Sequence, residues 1–386
     1  MTTVPSGARL RARRRLLRQL AAAPVILACP AIVFAAETPP ARRFEPRPGH
    51  WRTFEITTRV ELVDAKGPAS VWLPVPCIDD AWQQSLDSSW RSNGEAHWNA
   101  DPASGVRLLE TRFAPGTGGA YVELRSRVRT QDRAQDWNRR DDVAVDPDLT
   151  FWTRGSARLP VDGIVRRTAH HITDGARSDV QKVQRIFDWI VINTYREPKV
   201  RGCGEGDIKA ILESGNLSGK CADLNALFVG LCRAAGVPAR DVYGLRVAPS
   251  AFGYREIGAN NQANITGAQH CRAEVFLRGY GWVAMDPADV TKVMRMETSE
   301  WIRNASHPLV QPLRKGLFGG WEGNWVAFNH AHDVQLPGSR GPRMGFLMYP
   351  VAERDGARLD SYAPDAFRYR ISAREVDSPA DLARPA

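Results

Sequence analysis

Hydrophobic and polar positions change their period several times along the chain. Phe54, Ile56, Thr58, Val60 and Leu62 alternate with polar neighbours, which predicts a strand with one buried face. Val71-Trp72-Leu73-Pro74 starts a second strand, and Val106 to Phe113 and Tyr121 to Val128 flank a loop rich in Gly and Pro. Strands of this length with no helical pattern between them predict an antiparallel β-sandwich over residues 51–130. Its tryptophans, Trp72, Trp82, Trp90 and Trp98, are expected in the core rather than as a glycan-stacking face. A mixed-charge run from Arg129 to Asp142 reads as a solvated linker. The period then becomes helical: Val180, Val183, Ile186, Phe187 and Ile190 form one stripe behind a Ser178-Asp179 cap.

The next helix carries the chemistry. In S-G-K-C-A-D-L-N-A-L-F-V-G-L-C-R-A-A-G-V, Leu224, Leu227, Phe228 and Leu231 recur at helical spacing, and Gly236 with Pro238 supplies a stop. Cys221 therefore stands where loop becomes helix, and unpaired N–H groups with the positive end of the dipole favour its thiolate. A candidate base follows at His270. Residues 273–277 and 282–285 read as a two-stranded hairpin leading into Asp286-Pro287, which would bring His270 and Asp286 close together. A thiol, an imidazole to deprotonate it and a carboxylate to hold the imidazole's tautomer make a nucleophilic set.

The blocks G-K-C-A-D, L-F-x-x-L-C-R-A-A-G-V-P-A-R, H-x-x-x-E-V and G-W-V-A-M-D-P, in that order, resemble the core of the transglutaminase-like superfamily, over roughly residues 160–293. The resemblance implies a papain-like cysteine acyl-transfer fold with Cys221 as nucleophile, His270 as general base and acid, and Asp286 as the orienting carboxylate. One departure is Arg272, where an aromatic often stands two places after the histidine. The oxyanion of such a reaction needs donors, for which the Cys221 N–H and, as a side chain, Tyr195 are the candidates.

The expected fold is α+β: sandwich, catalytic domain at 150–295, and a β-rich C-terminal extension at 300–372 with strands at Trp325–Phe328 and Phe346–Tyr349. Residues 36–50 read as a tether and 373–386 as a disordered tail. The first 35 residues pair arginines with Leu-Leu-Arg ahead of an apolar run ending Val33-Phe34-Ala35, a twin-arginine-type export signal cleaved near Ala35. A lipidated Cys29 is disfavoured by Pro30. The run is too short to remain in a membrane, so a periplasmic or secreted protein without stable membrane insertion is expected.

Removing that segment changes the charge argument. It holds six arginines and no acidic residue, so the formal +9 falls to +3 and gives no support to nucleic-acid binding. Of six cysteines, Cys77, Cys203, Cys221, Cys232 and Cys271 remain, an odd number that fixes no pairing. Cys232 lies three helical turns from Cys221, about 16 Å, too far for a bridge.

His170 and His171 fit no ligand spacing, and His330-Ala331-His332-Asp333 lacks a further ligand cluster, so no metal or other cofactor is expected. Asn260, Asn261, Gln262 and Asn264 could form a loop over the cleft that contacts substrate amides. Peptidase, amidase and transglutaminase activity on a peptide or protein substrate, with hydrolysis favoured, all follow from the resemblance. A non-catalytic scaffold binding peptides or envelope fragments is the alternative.

Overall fold

A computed structural model describes residues 42–63, 67–101, 104–141 and 148–376. The expected export signal lies outside them, as do residues 36–41 of the tether and 377–386 of the tail.

Six strands come first: β1 (Arg52–Leu62), β2 (Ala69–Pro74), β3 (Gln83–Ser92), β4 (Glu95–Ala100), β5 (Arg107–Phe113) and β6 (Ala120–Thr130). Helices α1 (Gly163–Thr173), α2 (Asp179–Asn193) and α3 (Cys221–Ala234) follow. Next are β7 (Ala239–Arg246), β8 (Gln269–Leu277), β9 (Gly281–Met285), α4 (Pro287–Met296), β10 (Trp325–Asn329), β11 (Val351–Arg354) and β12 (Tyr369–Glu375). Strands and helices are mixed as the α+β expectation requires.

β1 buries Phe54, Ile56, Thr58, Val60 and Leu62 and leaves the alternate residues part-exposed or exposed, because successive side chains of a strand leave on opposite faces. One antiparallel sheet runs β12-β1-β6-β3, and a second joins β11, β2, β5 and β4. Trp72 and Trp82 are core residues, whereas Trp90 and Trp98 meet edge to face at 4.6 Å and stay partly exposed. The third sheet, β9-β8-β7-β10, is all antiparallel, and every residue of β8 and β10 is buried. α3 is buried along nearly its whole length against β8 and β7, with α1, α2 and α4 around it. α2 carries the predicted stripe, and Ser178 caps it by accepting from the Gln181 N–H.

Several connecting segments differ from their expectation. Phe44 of the tether is buried and packs on Phe252 and Tyr254, since an aromatic beside an apolar groove gains more by docking than by staying solvated. The mixed-charge run is tied down by Arg133, which lies between the rings of Trp82 and Trp321 and pairs with the buried Glu274. Residues 300–372 do not form a layer of their own. β10 extends the sheet of β7 and β8, β11 pairs with β2, and β12 pairs with β1 from Phe54↔Glu375 to Val60↔Tyr369, so strand pairing runs on through Glu375. Phe346–Tyr349 are all buried but form no strand, because the Leu347 carbonyl goes to the Asn329 side chain instead of a ladder.

Gly244, at a register shift between β7 and β10, is required by close approach. A Cβ there would lie 2.1 Å from the Val326 oxygen and 2.6 Å from the Trp325 ring. Gly244→Ala should therefore cost about 1–3 kcal/mol by overpacking and push Trp325 off the His270 carbonyl, which its indole N–H reaches at 3.1 Å. Denaturant unfolding would check this; an unchanged midpoint would show that the two strands can part without cost.

Candidate active site

Cys221 is the first residue of α3, behind Lys220 in extended conformation, as the sequence predicts. Asp223 fixes that helix start: its carboxylate accepts from the N–H groups of Lys220, Glu205 and Gly206 at 2.8 to 3.0 Å. His270 lies near the start of β8, three residues before the Ala273↔Met285 pair that closes the hairpin with β9. Asp286 follows directly on β9 and is the N-cap of α4, accepting from the Asp289 N–H. The hairpin and the cap together bring His270 Nε2 to 2.7 Å from Asp286 Oδ2, with both side chains almost wholly buried. The sulfur of Cys221 meets the same imidazole. With Nε2 given to Asp286, Nδ1 is the nitrogen left for the thiol.

The carboxylate is held from several sides. Asn225, one helical turn after Cys221, donates to Asp286 Oδ1 at 3.1 Å and to the Cys271 carbonyl at 2.8 Å. Arg272 approaches Asp286 Oδ2 with its Nε at 3.6 Å while lying over Trp325 and Trp321. The sequence therefore replaces an aromatic wall with a guanidinium that serves the carboxylate. Asp289 Oδ2 lies 3.4 Å from His270 Nε2, and Arg246 binds Asp289 with two hydrogen bonds of 2.6 and 3.1 Å.

These contacts set the charges. Burial and Arg246 push the imidazole down, but Asp289 and Asp286 outweigh them and lift it to about 9. Hydrogen bonds from Cys203 and Cys271, then from His270, hold the Cys221 thiol well below its ordinary value against the opposing effect of burial. Cys203 and Cys271 go the other way and stay protonated, Cys203 chiefly because of its bond to Cys221 and Cys271 chiefly because of burial. The directions for Cys221 and His270 both favour a thiolate beside an imidazolium. His270, Arg246 and Arg272 face Cys221, Asp286 and Asp289 in one buried volume, where burial and then Asp289 push the Asp286 carboxyl above its ordinary value. His270, Asp286 and Asp289 are close enough to share a cation, yet the two arginines already occupy that role.

A cleft of about 490 Å³ opens on Cys221 and His270. Asn260, Asn261 and Asn264 of the expected loop line it, whereas Gln262 instead donates to the Val247 carbonyl. Tyr195 does not line it. Its hydroxyl bonds Asn216 and its ring meets Trp301, because the short pairing of residues 195–196 with 218–219 turns the next side chain, Arg196, to the cleft. Gln269 lines the cleft too, and its amide nitrogen is buried without a partner. The opposite wall comes from Tyr349, Ser361, Tyr362 and Tyr369, all C-terminal to the segment that resembles the superfamily.

The other candidates lie elsewhere. His170 and His171 are exposed on the last turn of α1. His332 pairs with the buried Asp241 at 3.0 Å and contacts the Tyr243 hydroxyl, and His330 bonds the Asp241 carbonyl. Cys232 is buried in the core, and all five described cysteines are free thiols. Asn225, Arg246 and Asp289 were missed by sequence reasoning. A polar residue four places after the nucleophile, on the helix face toward the triad, was a usable signal for Asn225; nothing local marks Arg246.

The family model of the transglutaminase-like superfamily matches residues 166–287. An uncharacterized protein of Haemophilus influenzae is 32% identical over 383 residues, which cover 93% of this chain and 100% of that one. This chain belongs to the transglutaminase-like superfamily. Among solved structures, a candidate cysteine protease from Cytophaga hutchinsonii is 17% identical with a TM-score of 0.48, covering 85% of this chain and 89% of that one. The periplasmic domain of TgpA from Pseudomonas aeruginosa is 16% identical with a TM-score of 0.34, over 67% of this chain and 96% of that one. Within the transglutaminase-like chain, the matched segment ends at residue 287, just past Asp286, and contains Cys221, His270 and Asn225.

Proposed function

We propose that the protein is an exported cysteine-dependent enzyme that cleaves peptide or protein amides by acyl transfer. The observation that carries this reading is the buried 2.7 Å bond from His270 to Asp286 beside a thiol held below its ordinary value at a helix start. The Cys221 thiolate attacks the amide carbonyl, and the C–N bond breaks as His270 gives its Nδ1 proton to the leaving amine. A thioester remains. Water then attacks it, His270 takes the water's proton, and the carboxylic acid leaves as the Cys221 thiolate and the imidazolium are restored. The Cys221 N–H at the start of α3 serves the oxyanion, and the side-chain donor the sequence suggested, Tyr195, bonds Asn216 instead. Export rests on the arginine-led apolar segment over residues 1–35.

Hydrolysis is favoured over amine transfer because water is always at hand, whereas crosslinking needs a site that excludes it. Incubating the protein with a glutaminyl peptide and a tagged amine separates the two. Ammonia or peptide cleavage products without amine incorporation are expected; incorporation would make it a transglutaminase. No turnover, together with alkylation of Cys221 no faster than that of Cys77, would leave the scaffold reading.

A further inference from the structure

The wall of the cleft is one-sided in charge. Arg196, Lys220, Arg246 and Lys292 line it, and no carboxylate does so among the described residues. Two of these cations are already spoken for: Arg246 binds Asp289, and Lys292 binds Glu256 through both its carbonyl and its carboxylate. Arg196 and Lys220 are different. Neither has a carboxylate within ion-pair distance among the described residues, and Arg196 Nε is shut off from water with no acceptor at all.

The pairing of Arg196 with Gly219 fixes this guanidinium next to the segment that delivers Cys221. Burial and then Arg196 depress the Lys220 ammonium, and burial and then Arg246 bring Lys292 down to about 8, as crowded cations should be. Positive charge with no carboxylate at ion-pair distance in a partly desolvated cleft is costly, so its presence beside the nucleophile calls for an anion. The rest of the wall, Asn260, Asn261, Asn264 and Ser361, is neutral and suited to peptide amides.

We infer that the cleft selects an acidic peptide, whose carboxylate, close to the scissile carbonyl, is received by Arg196 and Lys220. This rests on Cys221 being the nucleophile; what it adds is the substrate class. A different use of the same cations, to hold the thiolate alone, predicts no preference between a carboxylate and an amide of equal size.

Iodoacetate and iodoacetamide make that comparison on the full-length protein. They are nearly the same size and differ in whether the carbon attacked by sulfur bears a carboxylate or an amide; in both, a C–S bond forms and iodide leaves. The measurement is the ratio of their rates at Cys221, read by peptide mass spectrometry and divided by the ratio at the same cysteine in the urea-unfolded chain. We expect the folded ratio to exceed the unfolded one at least about tenfold at low ionic strength and to shrink with salt. Arg196→Gln should remove most of the excess.

Because the imidazolium also attracts the anion, the fall in the variant is what assigns the effect to the pocket. Lys220→Gln provides the same test if Arg196→Gln does not fold. A folded ratio no larger than the unfolded one, including failure of iodoacetate to react, overturns the inference. So does an excess that both variants leave intact. The absolute rate at Cys221 relative to the other cysteines tests the nucleophile separately.

Discussion

Replacing Asp286 with asparagine is expected to lower kcat/KM on an amide substrate by roughly 10²- to 10⁴-fold while costing only about 1–3 kcal/mol of stability. Asparagine caps helices as well as aspartate does, so α4 keeps its start. The catalytic loss comes from donor conflict. Asp286 Oδ1 accepts from Asn225 Nδ2 and the Asp289 N–H, and Oδ2 accepts from His270. An asparagine must put its NH₂ toward one of these sets. Facing His270, it forces the tautomer that cannot take the thiol proton; facing the other side, it opposes two donors with a third. The pH profile is a second readout.

In the wild type, the imidazolium is needed to protonate the leaving amine, so turnover should fall as pH rises through about 9. With the carboxylate gone, one of the charges that raises His270 is lost and this alkaline limb moves to lower pH. Steady-state kinetics across pH 6 to 10, beside denaturant unfolding, would show both. Equal losses in stability and turnover would make Asp286 a structural residue.

Arg246→Met should be the more damaging change to the fold. The guanidinium and Asp289 are almost wholly buried and bonded twice, so deleting one partner strands a carboxylate beside His270. Losing such a pair costs about 3–5 kcal/mol, whereas exchanging both partners for apolar groups of similar shape is often close to neutral. Arg246→Met with Asp289→Leu is therefore expected to recover at least half of the stability lost by the single variant. The arginine also pushes the His270 imidazole down, so its loss alone should move the alkaline limb above about 9. Urea unfolding of Arg246→Met, Asp289→Leu and the double variant checks the first claim. Additive losses in the double variant would show that each residue is held by something other than its partner.

How much of this could be read from the chain depends on the range of the interactions. Cys221 at a helix start, the stripe of α2 and the β8–β9 hairpin are local patterns, with periods and stop signals contained within about twenty residues. They placed the thiol, the imidazole and the carboxylate without knowledge of the fold. Arg246 and Asp289 meet only because β7 lies beside β8 and α4 follows β9, a relation between elements that no periodicity encodes. Phe346–Tyr349 misled for the opposite reason: four apolar residues in a row predict burial, and burial alone was mistaken for a strand. Tyr195 was one position off the residue that lines the cleft, the error that a two-residue strand period makes easy.

The pairing of β12 with β1 joins residues more than three hundred positions apart, and Tyr369 at its start also forms part of the cleft wall. A chain still on the ribosome, or one halted before that strand is made, has the thiol and the imidazole in its sequence but lacks this side of the chamber they serve. Completion of the cleft is thereby deferred until β12 has been made, and a copy ended before it carries the nucleophile without that part of the wall that would present a substrate to it.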